Sequence, residues 1–319
     1  MSRLEIRPFS DEFLAPAGEL LAARHRAHRA VEPLLPAEYE DPAAARAEVE
    51  ALLALDGASG AVALRDGRVV GYLLGVRKSD EIWGPNVWVE LAGHAVEEPE
   101  DLRDLYAAAA KRWVDDDERP RHYALVPASD AALVEAWSRV GFGQMHAYGI
   151  QKTPEGRWPD GVRLATEADL DALVELEPVL GTHQTQSPVF ARGFATPDEA
   201  ELRADLLEDM AKEEVGDLVF ERDGRLVGAF QVAAVELSSV HTSLARPSGA
   251  AILGWAATYP EVRGSGAGLA LTDASFAWAR ERGYETMVTD WRVTNLLSSR
   301  FWPARGFRPT FLRLYRHIP

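Results

Sequence analysis

A chain of 319 residues has the length of two ordinary domains, and 47% hydrophobic with 26% charged residues is the balance of a protein that buries a core. A formal net charge of −16 argues against a nucleic-acid partner, and no apolar run reaches the 18 residues that a membrane helix needs. With no cysteine, the chain has no disulfide, no thiolate metal site and no cysteine nucleophile.

Residues 4–7 read as a first strand, Leu4-Glu5-Ile6-Arg7, leading into helices, with no signal-peptide core, so a cytoplasmic location is expected. The apolar runs 60–64 and 69–76 flank Asp66-Gly67, a hairpin turn. A further strand precedes a helix that ends near Trp113, and a second helix carries Trp137 into Val140-Gly141-Phe142. Residues 151–160 hold the Pro and Gly punctuation of a linker.

The same order then recurs. Arg65-Asp66-Gly67-Arg68 returns as Arg222-Asp223-Gly224-Arg225, 157 residues on. Trp113 and Trp137 return as Trp278 and Trp302, now 165 residues on, and Gly141-Phe142 returns as Gly306-Phe307. An insertion at 238–249 accounts for the difference. The chain is therefore read as two copies of one α/β (α+β) unit, 1–150 and 161–319.

One segment separates the copies chemically. Residues 250–257 form an apolar strand, then come Tyr259-Pro260-Glu261-Val262-Arg263-Gly264-Ser265-Gly266-Ala267-Gly268, and a helix runs from 269 to 282. Backbone N–H groups clear of side chains, at the positive end of a helix, form a cradle for phosphate oxygens. The spacing is neither that of a P-loop nor that of a Rossmann turn. An Arg-Gly-x-Gly-x-Gly run after an apolar strand resembles the coenzyme-A pyrophosphate loop of the GNAT superfamily of N-acyltransferases. In the first copy the matching positions are Glu98-Pro99-Glu100-Asp101-Leu102-Arg103, whose carboxylates repel a pyrophosphate. The expectation is a tandem pair of GNAT-fold domains, each a mixed, mostly antiparallel sheet with flanking helices. Only the second would hold acyl-CoA.

The resemblance implies the rest of the site. Acyl-pantetheine would enter between the fourth and fifth strands of the second copy, with a backbone N–H near Ala257 and Thr258 on the thioester carbonyl. Residues 262–268 (Val262, Arg263, Gly264, Ser265, Gly266, Ala267 and Gly268) would hold the pyrophosphate. In Asn295-x-x-Ser298-x-x-Phe301-Trp302-x-x-x-Gly306-Phe307, Asn295 would hydrogen-bond the pantetheine or a neighbouring loop carbonyl, and Ser298 and Trp302 would line the cofactor site. Trp302 stands where many members carry the Tyr that protonates the departing thiolate, and an indole N–H cannot do that. Solvent, Ser298 or Ser299 and, more remotely, Tyr259 or Tyr315 are the alternative donors.

A neutral amine must attack, so a base is needed. Glu236 is the first choice, with Asp290, His183 and His241 behind it; His183, Glu236 and Asp290 are expected to bind the acceptor. The reading is an acetyl-CoA-dependent N-acetyltransferase for a small-molecule amine, without metal, nucleic acid or membrane, as monomer or homodimer. The acidic charge suits a cationic acceptor. A longer acyl chain, or an acyl-CoA sensor without turnover, are the alternatives. Only Lys78, Lys111, Lys152 and Lys212 are lysines among 34 basic residues, a usage that suggests a GC-rich bacterial genome. The His25 and His28 pair is expected on an exposed helix face.

Overall fold

In a computed structural model, which describes residues 3–79, 83–191 and 198–319, the elements follow in chain order. They are β1 (Glu5–Pro8), α1 (Leu14–Val31), α2 (Pro42–Leu53), β2 (Ala58–Arg65), β3 (Arg68–Lys78), β4 (Asn86–Val89), β5 (His94–Val96), α3 (Asp101–Lys111), β6 (Arg121–Pro127), α4 (Ala131–Arg139) and β7 (Gly143–Lys152). The second series is β8 (Val162–Leu164), α5 (Leu170–Leu176), α6 (Pro178–Thr185), α7 (Glu199–Met210), β9 (Val215–Arg222), β10 (Arg225–Ala234), β11 (Ala250–Thr258), α8 (Ala267–Glu281), β12 (Thr286–Arg292), α9 (Ser298–Ala304) and β13 (Arg308–His317). Each series combines helices with strands in mixed parallel and antiparallel pairing, the α/β architecture expected.

The chain forms two compact units. The first is Met1–Tyr148 together with Ser243–Arg246 and Pro309–Pro319, and the second is Gly149–Thr242 with Pro247–Arg308. The boundary expected at 151–160 is thus crossed twice by later chain. β13 pairs antiparallel with β6, Phe311 opposite Pro127 through His317 opposite Arg121. Phe311 and Leu314 are buried there, and the Phe311 ring meets His28 edge-on at 4.8 Å. The expected insertion also contributes: Leu244 and Ala245 are buried, and the Ser243 hydroxyl bonds the Glu48 carboxylate. Burial of apolar side chains, rather than chain order, decides where these segments fold.

In the first unit, α1 buries Leu14, Ala17, Leu21, Ala22, His25 and His28, one face at helical spacing. The two histidines are therefore core residues and not exposed ones. His25 Nε2 lies 2.7 Å from the Pro36 carbonyl, and burial pushes the His28 imidazole down to about 3. Both ring systems keep their neutral form because a charge in that environment is desolvated.

In the second unit, β8, β9, β10, β11 and β12 are neighbours in that order, all antiparallel except β11 with β12. Val219, Ala229 and Ala257 lie on one face, packed with Leu173 and Leu176 of α5 and Leu206 and Met210 of α7. α8 covers the other, where the Trp278 indole lies over Gly216. The first unit repeats this: Trp113 is buried and donates from Nε1 to Ser59 Oγ at 3.0 Å. Ser59 and Gly216 stand 157 residues apart, so the hairpin repeat is also a packing repeat.

Phe311→Ala should cost about 3–5 kcal/mol, the range for emptying a buried phenyl site. Although the substitution lies near the C-terminus, the loss should fall on the first unit. Limited proteolysis should show cleavage within residues 3–148 rising before cleavage of the second unit; the reverse order would contradict the assignment of β13.

Candidate active site

The parallel pair β11–β12 runs for only four residues. Ala250, Ala251, Ile252 and Leu253 face Thr286, Met287, Val288 and Thr289, and there the pairing ends although both strands continue. Thr289 Oγ1 donates to the Leu253 carbonyl at 2.9 Å, taking the acceptor at that point. On the opposite edge of β11 the register with β10 slips: Gln231 faces Trp255 and Val232 faces Leu253, so Gly254 is a bulge. Residues 255–258 thus keep their pairing to β10 while their other edge, past the fork, is not paired with β12. A fork between parallel strands offers backbone donors and acceptors to an extended ligand.

β11 leads directly to the glycine loop. Gly264 and Gly266 have φ of 78° and 93°, a region that L side chains disfavour, and a Cβ at either would meet nothing within 4 Å. Gly266 caps α8, and the first carbonyl-bonded N–H of that turn is Ala270 on Gly266 at 3.0 Å. The N–H groups of Ala267, Gly268 and Leu269 are therefore the helix's unsatisfied donors. Val262, Arg263 and Ser265 hold the turn through bonds to Tyr259, Pro260 and Val262 carbonyls. Open space, positive φ and three free donors at a helix start fit an anion, and so fit the pyrophosphate of a coenzyme-A ester.

Several expected residues meet at the end of β12. Asn295 is buried, and its Oδ1 accepts from Leu297 N–H at 3.0 Å and Ser298 N–H at 3.4 Å, fixing the turn into α9. His183 on α6 reaches the same oxygen through Nε2 at 3.3 Å. Because Asn295 Oδ1 accepts, Nε2 carries the proton and Nδ1 of a neutral ring is a proton acceptor. Gln184 receives the Arg292 Nε bond at 3.1 Å, so α6 is tied to this strand end twice. Asp290 immediately follows Thr289, the last paired residue, and is half-buried at the fork.

Other expected residues lie elsewhere. Glu236 is exposed in a 3₁₀ turn, Val235–Leu237, beyond Ala234, which faces Ala251 at the closed end of the β11–β12 pair. At a rise of about 3.3 Å per residue it stands at least about 10 Å from Gly254. Trp302 is 6% exposed, with Phe230, Phe301 and Phe307 rings at 6.0, 4.9 and 5.7 Å. It is a core residue, as is Trp137 in the first unit. Tyr259 turns its ring under the Arg225 guanidinium at 4.9 Å, in the cluster with Leu173 and Leu176, and burial and the nearby Glu175 carboxylate raise its phenol. Ala257 is buried in that cluster, and Thr258 faces Gly228. His241 is buried before β11.

Three residues were not legible as site residues. Asp217 is nine-tenths buried in the row Asp217, Gln231, Trp255 that crosses β9, β10 and β11. Gln231 Nε2 donates to Asp217 and Asp209, at 3.1 Å each, and burial pushes the Asp217 carboxyl up to about 6. Arg222 and Arg225 flank the β9–β10 turn; Arg222 Nη1 donates to Ser265 Oγ at 2.9 Å, and Arg225 lies 3.7 Å from Glu261. The only signal for the arginines is that they recur in both hairpins.

Residues 182–307 match the acetyltransferase (GNAT) family model. The whole chain is similar to the crystal structure of a GCN5-related N-acetyltransferase from Sphaerobacter thermophilus. The identity is 16%, the TM-score 0.59, and the match covers 98% of this chain and 95% of that one. A tandem GNAT protein of the clavulanic acid biosynthesis pathway shows 16% identity and a TM-score of 0.49, covering 98% of this chain and 97% of that one. A GCN5-related N-acetyltransferase from Kribbella flavida shows 15% identity and a TM-score of 0.44, covering 79% and 88%. No curated protein matches the sequence. The likeness to the Sphaerobacter thermophilus structure is one of fold and extends over both units.

Asp217 generates a pH prediction. Its folded value, about 6 against 3.8, means that the folded state binds the proton more tightly. Stability from this group is complete below about pH 4 and is lost as pH rises through 6. Asp217→Asn keeps an acceptor for Gln231 and removes the charge. It should match wild type near pH 4 and exceed it at pH 7.5 by about 3 kcal/mol, two pKa units' worth. Urea midpoints at the two pH values measure this; equal midpoints at pH 7.5 would contradict it.

Proposed function

We propose, on the premise that the second unit carries a domain of the GNAT acetyltransferase family, that this protein transfers an acyl group, acetyl first, from acyl-CoA to a small-molecule amine. The observation that carries the reading is the coincidence of two features at one end of β11. A fork with unpaired strand edge lies next to a glycine loop whose open, left-handed backbone starts α8.

Residues 262–268 hold the pyrophosphate, and the edge of β11 from Gly254 to Thr258 lines the pantetheine arm and offers an N–H to the thioester carbonyl. Such a donor is worth roughly 3 kcal/mol elsewhere. When bound, the cofactor supplies a thioester whose carbonyl carbon accepts the amine and whose thiolate departs. His183 accepts a proton from the acceptor ammonium at Nδ1, its ring fixed by Asn295. Imidazole is the side chain suited to this near neutral pH. Asp290 faces the ammonium at the fork, and Ser298 at the start of α9 offers its hydroxyl to the departing sulfur. Trp302 is packing and Glu236 lies too far along the sheet to take part.

Three measurements test this. Release of free thiol from acetyl-CoA with a panel of primary amines should exceed the rate without amine; binding with no release would leave an acyl-CoA sensor. Gly266→Glu should cost about 1–2 kcal/mol of stability through its backbone strain and abolish coenzyme-A binding. Unchanged affinity would remove the loop from the site. His183→Gln should slow turnover at pH 7 by roughly 10²-fold, whereas Glu236→Gln should leave the rate as in wild type. The opposite pattern would return the base to Glu236.

A further inference from the structure

The two hairpins give the same pair of arginines two different partners. Both turns have the same backbone, with φ of 51° and 78° at Asp66 and Gly67 and 54° and 74° at Asp223 and Gly224. In the first unit Arg65 Nη2 lies 2.5 Å from Asp101 Oδ1, and Asp101 is only 4% exposed at the first residue of α3. Arg68 meets Glu97 with both ends of its fork, Nη2 to Oε2 at 2.8 Å. Each arginine thus receives a carboxylate from the segment that enters the helix.

In the second unit the positions 165 residues on from Glu97 and Asp101 are Val262 and Gly266. The carboxylates are gone and the arginines remain. Arg222 reaches the same segment, where it meets the hydroxyl and carbonyl of Ser265 at 2.9 and 3.4 Å through Nη1 and Nη2, with its guanidinium 5.2 Å from the Phe220 ring centre. Ser265 Oγ itself donates to Val262, so it holds the guanidinium as a neutral acceptor. Arg225 has the exposed Glu261 at 3.7 Å and the Tyr259 ring. A guanidinium carries five donors, and Ser265 occupies two of its nitrogens without supplying charge. It sits between Gly264 and Gly266, where a Cβ would meet nothing within 4 Å.

We propose that Arg222 binds the pyrophosphate of the acyl-CoA, and that Asp101 in the first unit occupies the equivalent place as a built-in anion. This rests on the reading of residues 262–268 as the cofactor loop. Arg-to-phosphate pairing is the charge-assisted, two-pronged contact that guanidinium geometry favours. The first unit is then closed to coenzyme A twice over: its loop lacks glycines, and its hairpin arginine is already neutralised.

The test is calorimetry of the full chain with coenzyme A and with 3′-dephospho-coenzyme A. Arg222→Gln should weaken both ligands by about 10- to 100-fold, as expected for loss of one charged hydrogen-bonded contact, with its thermal midpoint unchanged. Arg222→Lys should fall between it and wild type. Arg65→Gln should bind coenzyme A as wild type does and melt earlier. If the Arg222→Gln loss appears with coenzyme A but not with the dephospho form, the arginine serves the 3′-phosphate and the pyrophosphate assignment is overturned. If wild type binds and Gly266→Glu does not, while Arg222→Gln binds normally, this inference alone fails. If wild type binds neither ligand, the reading of the loop fails with it.

Discussion

The site depends on where one strand pair stops. Thr289 gives its hydroxyl to the Leu253 carbonyl at the last residue pair of β11 and β12. One residue later Gly254 bulges out of register with β10. Parallel strands that separate leave unpaired peptide groups, which a folded protein tolerates where a ligand or water replaces the missing partner. The glycine loop, the α8 start, the Asn295 turn and His183 on α6 are all arranged around that opening.

The two units show how a repeated architecture is assigned two electrostatic states. The hairpins, the buried Trp113 and Trp278, and the aromatic Trp137 and Trp302 positions are shared. The segment before the following helix is not. In the first unit it is acidic and is paired within the chain by Arg65 and Arg68. In the second it is glycine-rich, with two left-handed residues and a guanidinium that bonds a neutral serine. On the proposed reading, an anion from outside completes what the first unit completes for itself.

Much of this was legible in the residues. The repeat required only that Arg-Asp-Gly-Arg and the spaced tryptophans occur twice, and the loop declared itself through glycines at 264, 266 and 268 after an apolar strand. What escaped the sequence depended on long-range packing. Nothing in Phe311 or Leu314 says that β13 pairs with β6, because any apolar strand suits either sheet. Gly254 reads as an ordinary strand glycine until the register shows the bulge. By sequence Glu236 ends the third strand on the acceptor side, whereas the strand direction carries it past Ala251 to the closed end. His25 and His28 looked exposed on an arginine- and alanine-rich helix, although their spacing with Leu21 was the core spacing all along.

The central claim is that one of the two copies, and only one, is built to receive acyl-CoA. Titration calorimetry of the full chain with coenzyme A tests it most directly. The account gives one site per chain, lost in Gly266→Glu. Two equivalent sites, or one site that survives in Gly266→Glu, would contradict it.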